Sequence, residues 1–318
     1  MKRCDGDIVT RDAPTLYFIG VSTRQSSIMR AFPKWVEILG LARAQIAGVD
    51  IPLRAAPERY RQAVAQIKHD PLSLGALVTA HKIDLLNAAR DLFDVLDSNA
   101  QLCGEVSCIS KRDGRLIGHA KDPVTSGRCL QVMLGSGSWA TTGGHVLCLG
   151  AGGATVAMLV YFATRPDPAD RPERIIAVDV VQSPLDHVQA VVAQAPPTIH
   201  VETVLNDDPR ENDRLMASLP PHSLVINATG MGKDRPGSPI TDEGIFPEHG
   251  FVWELNYRGE LDFLRQARAQ SARRHLTVHD GWRYFLHGWT EVIAEVFGVD
   301  LTPALFKQLA EVADSVRN

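Results

Sequence analysis

A glycine-rich turn between two apolar segments constrains the fold of this chain more than any other feature. Residues 146–149 are all apolar, which is typical of a buried parallel strand. A turn containing Gly150, Gly152 and Gly153 follows, and an apolar, helix-like segment then covers residues 154–162. A strand, a glycine turn and a helix in this order direct backbone N–H groups and a helix N-terminus at a diphosphate.

An acidic residue ends the next apolar run, at residues 174–179. A carboxylate at Asp179 would accept hydrogen bonds from the adenosine ribose hydroxyls and repel a 2′-phosphate. No arginine follows at once, so the pattern predicts NAD rather than NADP as the cofactor. A tight turn beside an ordinary strand-end acid is the alternative, but the order of strand, turn, helix, strand and acid favours a cofactor site.

Length and composition limit the class of protein. The chain has 318 residues, which is enough for two domains, and its 45% apolar and 22% charged residues are ordinary for a soluble protein. The net charge of −4 does not indicate the basic surface that nucleic-acid-binding proteins carry. The first seven residues lack the apolar core of a signal peptide, and no run approaches the roughly 20 apolar residues of a membrane span. We expect a cytoplasmic protein with neither nucleic-acid nor membrane partners.

The cysteines and histidines show no metal-binding spacing. The chain has five cysteines (Cys4, Cys103, Cys108, Cys129 and Cys148) and eleven histidines, with no CxxC or HExxH pattern. The sequence therefore predicts neither a disulfide framework nor a metal site.

Alternating strand and helix patterns predict an α/β fold with two domains. A strand is expected at residues 15–20, a helix over 82–96 and a hairpin from 106–110 and 115–118. Beyond residue 145 the alternation is typical of a Rossmann-type, doubly wound parallel sheet. The predicted domains are residues 1–128 for the substrate and 129–281 for the dinucleotide. Residues 282–318 are expected to form helices, within 282–316, that return to the first domain.

Two charged residues of the first half are candidates for proton transfer. Lys82 follows a predicted strand and opens a helix, and Asp122 lies between the hairpin and the next helix. A lysine facing a carboxylate can relay the proton of a substrate hydroxyl. Taken alone, each residue is more typical of a solvated surface charge than of a catalytic group.

Seven segments, in order, make the chain similar to the shikimate/quinate dehydrogenase family over nearly its full length. They are residues 75–82 (GALVTAHK), 104–108 (GEVSC), 118–122 (GHAKD), 150–155 (GAGGAT), 226–229 (INAT), 254–257 (ELNY) and 280–287 (DGWRYFLH). The first is one residue shorter than the family pattern, and Thr155 stands where the dinucleotide fingerprint prefers Gly or Ala.

The resemblance implies a role for individual residues. Lys82 and Asp122 take the positions of the family's catalytic pair. Asn227 and Thr229 would border the nicotinamide half of the cofactor, although a capped strand end is the alternative outside the family pattern. The implied cofactor-binding residues are Gly150, Gly152, Gly153, Ala154, Thr155, Asp179, Asn227 and Thr229. The implied substrate-binding residues are Ser26, Ser27, Thr79, Ser107, Tyr257 and His287. A half-buried packing role is the alternative for Tyr257.

Several departures from the family pattern fall on substrate contacts. Ile28 replaces one of two serines that grip the substrate carboxylate, and Leu77 replaces an asparagine that holds ring hydroxyls. Ser107 replaces a further asparagine, and Ala120-Lys121 replaces an Asn-Thr pair. A site built to hydrogen-bond a hydroxyl discriminates strongly, so the loss of several such groups predicts a substrate other than shikimate.

Other side chains could compensate for these losses. Ser27 could replace the lost serine, and Arg24 or Arg30 could hold a carboxylate. Lys121 would either contact an anionic group or face solvent.

The sequence predicts an NAD-dependent oxidoreductase that reversibly oxidises a secondary alcohol of a small polyhydroxylated compound, with a carboxylated ring as one candidate. A genuine shikimate or quinate dehydrogenase is the alternative within the family. A non-catalytic NAD-binding regulatory module and the oxidation of a folate-linked carbon are alternatives of other classes. The sequence leaves a homodimer open.

Overall fold

Two parts of the chain each build a sheet of their own. The computed structural model describes residues 8–41, 43–194, 199–233 and 235–317. The first unit comprises the described residues up to Lys121 and those from Leu286 onwards, and the second comprises Asp122–Phe285. Cys4 and the first seven residues, on which the signal-peptide expectation rests, lie outside the described residues.

The elements alternate along much of the chain. The strands are β1 (Thr15–Gly20), β2 (Gln45–Asp50), β3 (Ser73–Val78), β4 (Val95–Leu96), β5 (Cys108–Arg112), β6 (Arg115–His119), β7 (Val146–Leu149), β8 (Arg174–Asp179), β9 (His200–Leu205), β10 (Leu224–Asn227), β11 (Phe251–Glu254) and β12 (Thr277–His279). The helices are α1 (Ile28–Ile38), α2 (Pro57–His69), α3 (Lys82–Ala89), α4 (Ser98–Cys103), α5 (Asp122–Leu134), α6 (Ser138–Thr142), α7 (Gly153–Ala163), α8 (Gln182–Gln194), α9 (Pro209–Ala217), α10 (Asp262–Arg274), α11 (Trp282–Phe297) and α12 (Pro303–Asp314).

The sheet of the first unit is mixed. Its strand order is β2-β1-β3-β5-β6-β4, with β1 parallel to both of its neighbours and β5 antiparallel to β3 and β6. The predicted strand at residues 15–20 is confirmed. The predicted hairpin is confirmed too, although its first strand is shifted to Cys108–Arg112 and its second ends at His119. Asp113 and Gly114 form the turn with φ of +52° and +73°, the two left-handed residues that suit the twist of paired strands.

The helix predicted over residues 82–96 is wrong beyond Ala89. A short 3₁₀ turn (Arg90–Leu92) ends it, and β4 then pairs parallel with β6. The backbone N–H of Asp94 donates to Leu116 O at 2.9 Å, and its carboxylate accepts from Leu116 N at 2.7 Å. The pairing of β4 with β6 therefore outweighs the helix-like spacing of apolar residues at the end of the segment 82–96.

The C-terminal segment forms the predicted helices, α11 and α12. Gly298, with φ +67°, follows α11, and Thr302 caps α12 by accepting a hydrogen bond from Leu305 N at 3.2 Å. The indole N–H of the fully buried Trp35 on α1 donates to Leu309 O on α12 at 2.8 Å. The prediction that the C-terminal helices return to the first domain is confirmed.

The second unit has the predicted doubly wound parallel sheet. Its order is β12-β11-β10-β7-β8-β9, and every pairing is parallel. The chain runs outward from β7 to β9 on one side, and from β10 to β12 on the other. The direction of winding changes between β7 and β10, and ligands of such sheets bind at the carboxyl ends of the strands at that point.

Buried apolar surface fixes the central strand and helix of this sheet. All four residues of β7 are buried, as are eight of the eleven residues of α7. A helix that is apolar on all sides is held inside the fold. The start of α7 is therefore held firmly at the carboxyl end of β7.

Three further features of the described residues bear on the expectations above. None of their helices is long and apolar enough to cross a lipid bilayer. The four cysteines that the structure describes are buried free thiols. No group of three or more His, Cys, Asp and Glu side chains among these residues could hold a metal ion.

Gly150 is the position where a side chain would disturb the second unit most directly. Its φ is +99°, and a Cβ there would lie 2.7 Å from the carbonyl carbon and oxygen of Ala228. We expect Gly150→Ala to lower the free energy of unfolding by about 2–4 kcal/mol, measured by denaturant unfolding.

Gly152→Ala is the matched control. A Cβ at Gly152 meets no atom within 4 Å and the residue has φ −74°, so its stability should stay within about 1 kcal/mol of the wild type. Equal stability of the two variants would contradict the proposed close contact at Gly150.

Candidate cofactor and active site

The N-terminus of α7 lies open at the carboxyl end of β7. The N-cap residue is Gly152, which has no side chain to cap the first backbone N–H groups, and the first turn contains no acidic residue. A Cβ added at Gly152 would meet no protein atom within 4 Å, so this face of the turn borders empty space. The positive end of the helix dipole and the first backbone N–H groups form an anion-binding arrangement here.

Thr155 fits the fingerprint position that usually holds Gly or Ala. Its side chain is fully buried, and its hydroxyl donates to Gly150 O at 2.6 Å. The hydroxyl is thus satisfied within the turn, where it ties the first turn of α7 to the end of β7.

Asp179 is joined to the glycine turn. One carboxylate oxygen accepts from Ala151 N at 2.8 Å and the other from Val181 N at 3.0 Å. Each oxygen has a second lone pair for a further donor. The neighbouring Val180 and Val181 are exposed apolar side chains.

Asn227 and Thr229 form a hydrogen-bonded turn after β10. Asn227 Oδ1 accepts from Thr229 N at 3.1 Å and from the Thr229 hydroxyl at 2.7 Å. Asn227 Nδ2 donates to Glu254 Oε2 at 2.6 Å. Sequence reasoning missed Glu254, although it lies in the quoted segment 254–257, because a carboxylate inside a strand gives no sign of its partners.

The aromatic ring of Tyr257 packs within the second unit. Its centroid lies 5.3 Å from that of Trp282 and 4.7 Å from that of Phe285, and the residue is half-buried. The ring thus makes the packing contacts of the alternative interpretation.

Lys82 begins α3 in the first unit and is half-buried. The preceding His81 is fully buried, and its Nε2 donates to Ile51 O at 2.8 Å. Ala80 has a left-handed φ of +50°. The segment that is one residue shorter than the family pattern therefore turns tightly and is held by a buried histidine just before Lys82.

Asp122 begins α5 in the second unit and is 9% exposed. The hydroxyl of Tyr284 donates to Asp122 Oδ2 at 3.3 Å. Sequence reasoning missed Tyr284, which lies within the quoted segment 280–287. Lys82 and Asp122 belong to different units, so their pairing stays a prediction.

The substrate candidates of the first unit are mostly buried. Ser26 is 5% exposed and Ser27 is fully buried, and Ser27 Oγ has no hydrogen-bond partner among the described residues. Thr79 Oγ1 donates to Ile19 O at 3.4 Å. His287 is buried and stacks on Phe306 with ring centroids 4.3 Å apart.

Three further contacts answer the alternatives that the sequence left open. Ser107 Oγ accepts a hydrogen bond from Lys121 N at 2.8 Å. Lys121 Nζ lies 2.5 Å from Glu295 Oε2, so its charge is paired within the first unit. Arg30 donates to Val316 O at 2.5 Å, on the segment that follows α12.

Comparisons with known proteins give a consistent result. No protein-family model matches the chain. A shikimate dehydrogenase (NADP⁺) of Symbiobacterium thermophilum is 27% identical over 252 residues, which cover 76% of this chain and 79% of that protein.

Two solved structures share the fold. Quinate dehydrogenase from Corynebacterium glutamicum in complex with NAD has a TM-score of 0.72 at 20% identity, covering 96% of this chain and all of that one. The ligand-free 5-ketofructose reductase of a Gluconobacter strain has a TM-score of 0.65 at 18% identity, covering 94% of this chain and 98% of that one. The predicted resemblance is confirmed: the chain is shikimate dehydrogenase-like in sequence and fold.

Proposed function

We propose that the protein is a nicotinamide-dependent oxidoreductase that acts on a CH–OH group of a small polyhydroxylated compound. The observation that carries the proposal is the uncapped N-terminus of α7, which faces empty space at the point where the sheet changes its direction of winding. The Gly152, Gly153 and Ala154 backbone would hold the diphosphate there. When bound, the cofactor supplies the hydride acceptor.

NAD is the proposed cofactor rather than NADP. Asp179 offers carboxylate oxygens to ribose hydroxyls, and Asp207 and Asp208 follow the neighbouring strand β9. Three carboxylates near the ends of β8 and β9 would repel a 2′-phosphate. The related proteins differ in this respect, since one is named for NADP⁺ and another was solved with NAD.

Lys82 and Asp122 are the proposed catalytic pair. In the oxidative direction the amine of Lys82 would accept the proton of the substrate hydroxyl. Asp122 would hydrogen-bond that hydroxyl and orient the lysine, while Tyr284 fixes the carboxylate of Asp122. Thr155, Asn227 and Thr229 would shape the cofactor site.

The substrate is proposed to differ from shikimate. Ile28 and Ala120 are fully buried apolar residues, and Leu77 is 7% exposed. They stand where the family resemblance places polar substrate contacts, and Ser107 is bonded to the Lys121 backbone. A pocket without those polar groups loses the discrimination that they provide. Six residues stay the proposed substrate contacts: Ser26, Ser27, Thr79, Ser107, Tyr257 and His287.

A substrate panel tests this function. The protein would be assayed for NAD⁺ reduction, read at the absorbance of the reduced nicotinamide, with cyclitols, polyols, hydroxy acids, shikimate and quinate. We expect turnover of an alcohol other than shikimate. Strong turnover of shikimate or quinate would instead identify a genuine shikimate or quinate dehydrogenase. No turnover with intact NAD binding would favour a regulatory module.

Lys82→Ala tests the proton relay. Because the lysine is proposed to take the hydroxyl proton, kcat should fall by about 10²–10⁴-fold. The Kd for NAD should stay within about twofold of the wild type, since Lys82 lies in the other unit from the glycine turn. Unchanged kcat with the best substrate of the panel would rule out the relay.

Asp179→Ser tests the cofactor preference. A charge-assisted hydrogen bond contributes about 1.5–3 kcal/mol, so its loss should lower the NAD-to-NADP ratio of kcat/KM by about tenfold or more. Glu202→Gln, a loss of one carboxylate on the neighbouring strand β9, is the control and should leave the ratio unchanged. An unchanged ratio in Asp179→Ser would show that another residue sets the preference.

A further inference from the structure

A buried carboxylate that the proposed reaction does not use ends β11. Glu254 is fully buried. Its Oε2 accepts from Asn227 Nδ2 at 2.6 Å, and its Oε1 accepts from Asn256 N at 2.8 Å and Asn256 Nδ2 at 2.7 Å. All three partners are donors, so the surroundings are built for the ionised carboxylate, which can only accept.

The Glu254 carboxylate makes the shorter of two hydrogen bonds that orient the Asn227 amide, since Asn227 Nδ2 donates to Glu254 Oε2 at 2.6 Å and to Met231 O at 3.3 Å. An amide has one donating and one accepting end, and the carboxylate requires the NH₂ group to face it. The amide oxygen then faces Thr229, where it accepts from both the backbone N–H and the hydroxyl. The Thr229 hydroxyl oxygen in turn accepts from Met231 N at 3.0 Å. The chain of hydrogen bonds therefore runs from Glu254 to the turn at residues 227–231.

This turn lies beside the glycine turn where the sheet changes direction. A Cβ at Gly150 would stand 2.7 Å from the Ala228 carbonyl, so the two turns touch. Asp179 ends β8, on one side of β7, where the adenosine would lie. The turn after β10 lies on the other side of β7. A dinucleotide across this point would place its nicotinamide half over residues 227–231.

We propose that Glu254 is a positioning residue for the nicotinamide half of the cofactor, an inference that rests on the proposed function. The ionised carboxylate holds Asn227 so that the Thr229 N–H and hydroxyl are fixed. A protonated Glu254 presents a donor, which favours a flipped Asn227 amide and takes the acceptor away from Thr229.

The burial of Glu254, with a smaller effect of nearby charges, makes this arrangement sensitive to pH near neutrality. Burial raises the pKa of Glu254 to about 7; hydrogen bonds from Asn256 and Asn227 oppose this rise, and the charge of Asp280, after β12, adds to it. On the neighbouring β12, burial lowers the pKa of His279, with Asp280 opposing and Arg283 supporting the shift. On the other side, β10 presents the Asn227 amide to the carboxylate.

A binding titration tests the inference. The Kd of NADH would be measured by nicotinamide fluorescence at pH 6, 7 and 8 on the full chain, with thermal unfolding recorded at each pH. If only the ionised form is competent, the apparent Kd rises about tenfold from pH 8 to pH 6 in the wild type. Glu254→Gln should bind weakly at all three pH values, without this step. The fixed backbone N–H of Asn256 favours the new amide oxygen on its own side, so the NH₂ group would face that of Asn227.

Two further variants sharpen the result. Glu202→Gln makes the same change on β9 of the same sheet and should follow the wild-type profile. Glu254→Gln combined with Asn227→Asp exchanges the amide and the carboxylate, restores the acceptor for Thr229 and should recover affinity at pH 8. If Glu254 affects only the fold, Glu254→Gln would change the unfolding temperature, and the Kd of the wild type would not rise between pH 8 and pH 6.

The outcomes distinguish the inference about Glu254 from the proposed function. Tight binding by Glu254→Gln at pH 8, or the same pH step in that variant as in the wild type, overturns the inference and leaves the proposed function standing. If the Kd of the wild type does not change between pH 6 and pH 8, the inference is also overturned and the proposed function still stands. This result can be obtained even if Glu254→Gln fails to fold. No binding of NADH at pH 8 overturns the proposed function, and the inference with it.

Discussion

The close contact between the turn after β7 and the end of β10 is the constraint on which the second unit depends. Gly150 can adopt φ +99° and approach the Ala228 carbonyl because it has no Cβ. The contact brings two loops together where the sheet changes its direction of winding. The hydroxyl of Thr155, bonded to Gly150 O, then ties the first turn of α7 to the same point.

Hydrogen-bonded polar groups, buried or half-buried, extend this constraint along the carboxyl edge of the sheet. Asp179 is bonded to Ala151 N on one side, and Glu254 is bonded through Asn227 to Thr229 on the other. Buried polar groups are costly when unpaired, so each of these bonds favours a single arrangement of its loop. The edge is thereby organised before any ligand arrives, which reduces the ordering cost of binding.

The sequence predicted the parts of the fold that depend on local pattern. The strands β1, β7 and β8, the Asp113-Gly114 turn and the doubly wound order follow from short apolar runs and turn residues. The sequence-based prediction failed where residues distant in the chain determine the local structure. The apolar spacing before β4 is typical of a helix, but β4 forms because the Asp94 backbone pairs with Leu116. The candidate site divides in the same way. Gly152 and Asp179 stand out in the sequence, whereas the roles of Glu254 and Tyr284 depend on partners that only the fold brings near.

Titration of NADH into the wild type and Gly152→Ala shows whether the N-terminus of α7 binds the cofactor. A Cβ at Gly152 enters the empty space in front of the helix and touches no protein atom. We expect saturable binding by the wild type and a Kd at least about tenfold higher in Gly152→Ala, a loss of about 1.4 kcal/mol, with a free energy of unfolding within about 1 kcal/mol of the wild type. Equal affinity of the two proteins, or no binding by the wild type, would contradict cofactor binding at this helix N-terminus.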